Sequence, residues 1–176
     1  MSNLICQLNS FWEISFEDKE LINVKLGGVI SRCEYCFERT PNKYYSHDGK
    51  TFFNPLQSAQ YTVFLYYFSN TIIKETANRN LADKLYYLNK IMNGCDLYHE
   101  VELPRFFTLD HPVGSVMGRA VYGEGFSFGQ NCTVGNNRGI YPVIGSNVRL
   151  CAGASIIGNC NIGDNVTLGA GALIKD

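Results

Sequence analysis

IGSNVRLCAGASIIGNCNIGDNVTLGAGALIKD, residues 144–176, counts in sixes. Steps of six land on Ile144, Leu150, Ile156, Ile162, Leu168 and Ile174. Glycine often follows, at Gly145, Gly163 and Gly169, and the fifth position is small or β-branched, at Val148, Ala154, Cys160, Val166 and Ala172. The count also runs backwards through Val134, Phe128, Tyr122 and Val116, out of phase by four residues around Ile140 to Val143. That break reads as a loop expelled from a regular stack. Neither a 3.6-residue helix nor a two-residue strand alternation produces a period of six. It is the period of a parallel β-helix, in which each repeat is one short side of a coil. The large aliphatic points inward onto its equivalent one coil below, and the small residue fits beside a corner. Three repeats make a coil, so residues 110–176 give three to four coils, a prism roughly 17 Å tall at about 4.8 Å per coil.

Ahead of the repeats the pattern becomes helical. Tyr61, Phe64, Leu65, Phe68 and Ile72 form one apolar stripe, and Leu81, Leu85, Leu88 and Met92 another. Helices are expected at about 59–74 and 80–93, the second capped by Asn80 and stopped by Gly94. In residues 1–56, Trp12, Ile14 and Phe16 alternate as in a strand, and Gly27-Gly28 reads as punctuation. The expected organisation is a partly helical or mixed cap over 1–94, then the β-helix over 95–176 with a loop at about 136–143.

The composition excludes several roles. A net charge of −1 provides no electrostatic footprint for nucleic acid. No stretch approaches 18 uninterrupted apolar residues, and the N-terminus lacks the layout of a signal peptide. The seven cysteines are an odd number and read as thiols of a reducing compartment, hence a cytoplasmic protein. Cys33-Glu-Tyr-Cys36 is a lone CxxC without a second pair or nearby histidines, which argues against zinc.

Leu109-Asp110-His111-Pro112-Val113-Gly114, with Asp96 fifteen residues before the histidine, resembles the serine acetyltransferase family of hexapeptide-repeat acyltransferases. The match continues through Gln130-Asn131-Cys132-Thr133-Val134-Gly135 and resumes at Ile144. The resemblance implies a left-handed β-helix, at least a trimer, with each active site between two prisms. It implies acetyl transfer from acetyl-CoA to a hydroxyl, in cysteine biosynthesis if the acceptor is serine, and no metal. His111 would be the general base, Asp96 its orienting partner, and Asp110 an acceptor contact. Glu100 and Glu102 stand close enough in sequence to replace Asp96. Gly135, Ala152, Gly153, Ala170 and Gly171 would line the groove for CoA. The chemistry agrees: an alcohol is a weak nucleophile near neutral pH, so a histidine must take its proton as the new bond forms. A carboxylate on the other ring nitrogen would fix the tautomer, and corner backbone N–H groups would receive the oxyanion.

The chain departs from that family in three places. The family's interrupting loop carries an Arg-His-Pro step that grips the acceptor's carboxylate. Here Ile140 and Tyr141 precede Pro142, and Arg138 lies two residues early. Arg138 and Tyr141 are therefore the candidate acceptor contacts of the loop, and a sugar hydroxyl, as in O-antigen or capsule acetylation, is the alternative acceptor. The segment from His111 to Ala120 is one residue shorter than the family's. The repeats run to Asp176 in mid-coil, where relatives usually add a tail, so a weakly defined nucleotide site for CoA is expected. A non-catalytic β-helix scaffold is the third reading, and Asp96, Asp110 and His111 speak against it.

Overall fold

The computed structural model describes residues 2–176. Four helices precede the coils: α1 (Ser2–Asn9), α2 (Phe16–Arg39), α3 (Ser58–Thr76) and α4 (Arg79–Asn93). Between α2 and α3 lie a 3-10 turn, Lys43–Tyr45, and a small antiparallel hairpin of β1 (Ser46–His47) and β2 (Lys50–Thr51).

The segment around Trp12 to Phe16 is not a strand. Ser15 caps α2 by accepting from the Asp18 N–H, and the helix runs straight through Gly27-Gly28. Its buried residues Ile22, Val29, Cys33, Cys36 and Phe37 recur at helical spacing, and this face decides the conformation despite the two glycines. The cap of α4 is Asn78, whose Oδ1 accepts from the Leu81 N–H, rather than Asn80. Gly94 ends α4 in the left-handed region at φ 62°, as its position suggested. The α3 stripe is wider than expected, since every residue from Ala59 to Ile72 is buried. This helix is packed on all sides, against α2 and α4 and against the start of the coils, where the Tyr66 ring meets Phe107 edge-on and the Tyr66 hydroxyl donates to the Val101 carbonyl.

Twelve short strands follow: β3 (Asp96–Leu97), β4 (Phe107–Leu109), β5 (Val116–Met117), β6 (Val121–Tyr122), β7 (Phe126–Phe128), β8 (Thr133–Gly135), β9 (Val143–Ile144), β10 (Arg149–Leu150), β11 (Ser155–Ile157), β12 (Asn161–Ile162), β13 (Thr167–Leu168) and β14 (Leu173–Lys175). They form three parallel sheets, β3-β5-β8-β11-β14, β4-β7-β10-β13 and β6-β9-β12. These are the three sides of a left-handed parallel β-helix of about four coils.

The register explains the numerical pattern. Ile156 pairs with Ile174, a step of 18 (174 − 156), which is three hexapeptides. Val134 pairs with Ile156, a step of 22 (156 − 134). The four additional residues are the phase break seen in the sequence, and they are accommodated in the loop between β8 and β9. Phe128, Val134, Ile144, Leu150, Ile156 and Leu168 are all buried inside the prism. The backward count fails at Val116. That side chain faces outward, 42% exposed, and Met117 fills the interior slot, because Met117 and Tyr122 are five residues apart rather than six.

Candidate active site

Two edges of the prism concern the candidate residues. The first joins the four-stranded sheet to the five-stranded one, and its corners stack Asp110 and His111, Gly129 to Asn131, Cys151 to Gly153, and Gly169 to Gly171. The second joins the five-stranded sheet to the three-stranded one and carries Gly135 and the loop up to Pro142.

The first corner is unlike those above it. From Leu109 to Val116 the chain takes seven steps, whereas Phe128 to Thr133 and Leu150 to Ser155 take five each (116 − 109, 133 − 128, 155 − 150). The two extra residues push His111 and Val113 out from the edge. His111 has a left-handed backbone, φ 49°, uncommon outside glycine, although asparagine, aspartate and histidine enter it more readily than other residues. Its side chain is 86% exposed, and Nε2 lies 3.5 Å from Asp110 Oδ1. A strained conformation that presents an imidazole to solvent points to function rather than packing.

Asp96 belongs to the same edge, one layer lower. Its N–H donates to the Ser115 carbonyl, and the Gly114 N–H to the Gly94 carbonyl. Its carboxylate, however, accepts from the Tyr86 hydroxyl at 2.9 Å and from Lys90 Nζ at 2.6 Å. This bonding holds the Lys90 ammonium above its ordinary pKa, and burial followed by the bond to Asp96 pushes the Tyr86 hydroxyl up. The two other carboxylates in that stretch are also engaged, Glu100 with Arg79 and Arg119, Glu102 with Lys74. In this single chain, then, the carboxylate facing His111 is that of Asp110.

A cleft of about 400 Å³ opens beside this edge. One wall is the turn after α2, Thr40 to Asn42. The other is the outer face of the four-stranded sheet (Thr108, Ser127, Arg149) together with Asp110, Gly129, Gln130, Cys151 and Ala152. Of the residues assigned to the CoA groove, Ala152, Gly153, Ala170 and Gly171 lie on this edge. Gly135 does not: it ends β8, on the far side of the five-stranded sheet. Among the described residues, the Gln130, Ala152 and Ala170 amides, each at mid-corner, donate to no protein acceptor. They are available to a ligand lying along the edge.

Arg138 and Tyr141 lie on the second edge with Gly135. Arg138 has φ 50° and is exposed, and Tyr141 is 41% exposed. The loop is tied down by the reciprocal backbone bonds of Asn137 and Ile140 and by Asn136 Oδ1, which accepts from the Gly139 N–H. One chain thus brings together Asp110, His111, Ala152 and Gly153, and holds Arg138, Tyr141 and Gly135 apart from them.

The lone CxxC is buried in α2, where Cys36 Sγ donates to the Phe107 carbonyl and burial pushes both thiols up, so these thiols pack and do not react. Reasoning from the sequence missed Thr40, Asn42, Gln130 and Arg149. For Arg149 a signal was present. The residue preceding each leading aliphatic points outward, and of Val143, Arg149, Ser155, Asn161, Thr167 and Leu173 only Arg149 is charged.

Comparisons with known proteins agree with this architecture. Residues 141–176 match the family described as bacterial transferase hexapeptide (six repeats). A putative serine acetyltransferase of Schizosaccharomyces pombe is 34% identical over a match covering 46% of this chain and 32% of that protein. The serine acetyltransferase of Staphylococcus aureus strain Mu50 is 31% identical, covering 53% of this chain and 52% of its own length. The chain thus spans a third to a half of these relatives. Among solved structures, a serine acetyltransferase of Neisseria gonorrhoeae in complex with serine superposes with a TM-score of 0.72 at 25% identity, covering 95% of this chain and 73% of that one. A serine acetyltransferase in complex with CoA gives 0.68 at 20% identity, covering 88% and 66%. The chain carries the transferase hexapeptide repeat over residues 141–176 and is similar, in part of its sequence and in its fold, to serine acetyltransferases.

Proposed function

We propose that the chain is an acetyl-CoA-dependent O-acetyltransferase with His111 as its general base. One observation carries the reading: the lengthened first corner projects an exposed imidazole, beside Asp110, at the edge of a cleft whose rim continues as a column of small residues with unpaired amides. The acceptor hydroxyl oxygen attacks the thioester carbonyl while an imidazole nitrogen takes its proton. The C–S bond of the tetrahedral intermediate then breaks, and the proton passes to the departing CoA thiolate. Small side chains at Ala152, Gly153, Ala170 and Gly171 let a pantetheine arm lie against the backbone, within reach of the free amides.

Serine is the first acceptor to test, since the solved neighbours and curated relatives are named serine acetyltransferases. A sugar hydroxyl is the second reading, favoured by the loop, where Ile140 and Tyr141 take the place of a charged clamp. The candidate residues are split between two edges of the prism, which supports a site shared by neighbouring copies, and the hexapeptide repeat supports a trimer as the assembly that supplies them. All seven cysteines are free, which supports a reducing, cytoplasmic setting. CoA release from acetyl-CoA, followed with a thiol reagent in the presence of L-serine, tests the reading. Serine-dependent release by the native chain, lost in His111→Ala, is the expected result. Unchanged release by His111→Ala refutes the assignment of the base, and release with glycans alone transfers it to the sugar reading.

A further inference from the structure

We propose that Arg149 is the anion-pairing residue of the acceptor site, so that the acceptor hydroxyl belongs to a molecule bearing a carboxylate. The inference rests on the acetyltransferase reading and specifies its substrate class. Arg149 sits on the outer face of β10, between Ser127 and Thr167 in register, and lines the cleft that also contains Asp110. The equivalent outward positions below and above it, Thr108, Ser127 and Thr167, are small and hydroxylic. The sheet face therefore does not need a long cation at this layer.

The guanidinium is also unused. Arg32 is bonded to Asn70 and Thr71, Arg79 and Arg119 are paired with Glu100, and Arg105 lies over the Tyr35 ring. Among the described residues the Arg149 side chain has no hydrogen bond and no ion pair; its backbone N–H donates to the Val166 carbonyl. A free guanidinium in a concave site is matched by a carboxylate or a phosphate, which it binds through two parallel N–H donors. Two sources of such an anion exist, the acceptor and the phosphates of CoA. Asp110 shares the cleft, and its negative charge opposes a polyphosphate but suits a molecule with one carboxylate at Arg149 and a hydroxyl or ammonium near Asp110.

Arg149→Gln and Arg149→Lys test this in the full chain, with circular dichroism as the folding control at an exposed position. With L-serine as acceptor, Arg149→Gln is expected to raise the KM for serine by about tenfold or more, leaving the KM for acetyl-CoA within about twofold. Turnover of L-serinamide, which lacks the carboxylate, should change little, and Arg149→Lys should recover part of the loss. An unchanged KM for serine, or a rise in the KM for acetyl-CoA instead, overturns the proposal; the latter assigns the cation to the CoA phosphates. If the native chain does not acetylate serine, binding of D-glucuronate and D-glucose is compared by ligand-observed NMR. A preference for glucuronate that Arg149→Gln abolishes supports the proposal, and no preference overturns it. These binding results stand whether or not His111 proves to be the base.

Discussion

At the scale of single residues, the strain at His111 makes a discriminating substitution available. Asparagine tolerates the left-handed region, and Asn131 occupies it one coil above at φ 54°. His111→Asn should therefore fold with a melting temperature close to native while losing the proposed base. The expected loss in kcat is about 10²–10⁴-fold, the usual worth of a general base. A parallel fall in thermal stability would instead mean that the imidazole was structural. Asp110 and His111 were legible because a short motif marks them, but the fate of Asp96 was not. Its spacing from the histidine is a property of the chain, whereas its hydrogen bonds are set by Tyr86 and Lys90 on α4, which no spacing rule reports. Arg149 was legible in principle, as a charge in an outward slot of a periodic sheet, but the six-residue period itself reports only the inward slots.

At the scale of elements, the same contrast separates the coils from the cap. A six-residue period is decisive because each repeat solves the same packing problem, so the β-helix, its loop and its interior slots, Val116 apart, could be read directly. The α2 helix could not, because its apolar face is interrupted by polar residues and by Gly27-Gly28. Both glycines face open space without a positive φ. Gly27→Ala should therefore stabilise the chain by about 0.5–1 kcal/mol, the helix-propensity difference, measured by urea unfolding. A destabilised variant would show that the glycine is needed for close approach to something absent from the single chain. A second test concerns the link between α4 and the coils. Glu100 joins Arg79, at the start of α4, to Arg119, between β5 and β6. Hydrogen bonds from those two arginines hold its carboxyl below its ordinary value of 4.5. A depressed folded-state pKa contributes stability above the unfolded value and loses it as pH falls from about 4.5 through the folded one. Glu100→Gln should consequently lower stability modestly at neutral pH and converge with the native protein as pH falls below about 4.5, which flattens the acid limb, and added salt should shrink the neutral-pH difference because the pairs are exposed. Identical acid limbs for the two proteins would remove the bridge from the account.

At the scale of the whole molecule, no helix among the described residues is long and apolar enough to cross a membrane. The coils nevertheless expose apolar surface. The outer face of the three-stranded sheet carries Val121 and Val143 in register, 61% and 45% exposed. Around the second edge stand Ile140 and Tyr141, and across the five-stranded face Val116 and Leu173, the last 65% exposed. Apolar side chains on neighbouring sheet faces mark an interaction surface, and a threefold closed ring is one of the symmetric solutions open to a prism with three sides. The distribution of candidate residues is compatible with the same arrangement, if Arg138 and Tyr141 contact the acceptor. His111 and Ala152 lie on one edge of the five-stranded sheet, Arg138 and Tyr141 on the other, and only a neighbouring copy can bring the second edge of one prism to the first edge of the next. Val121→Lys should therefore yield a folded monomer, seen by sedimentation as about a third of the native mass, because burying an unpaired ammonium costs more than the contact provides. That monomer should have lost acetyl transfer although His111 is intact. An active monomer would require all acceptor contacts to come from the cleft of one chain, and a native protein that sediments as a monomer would require the same.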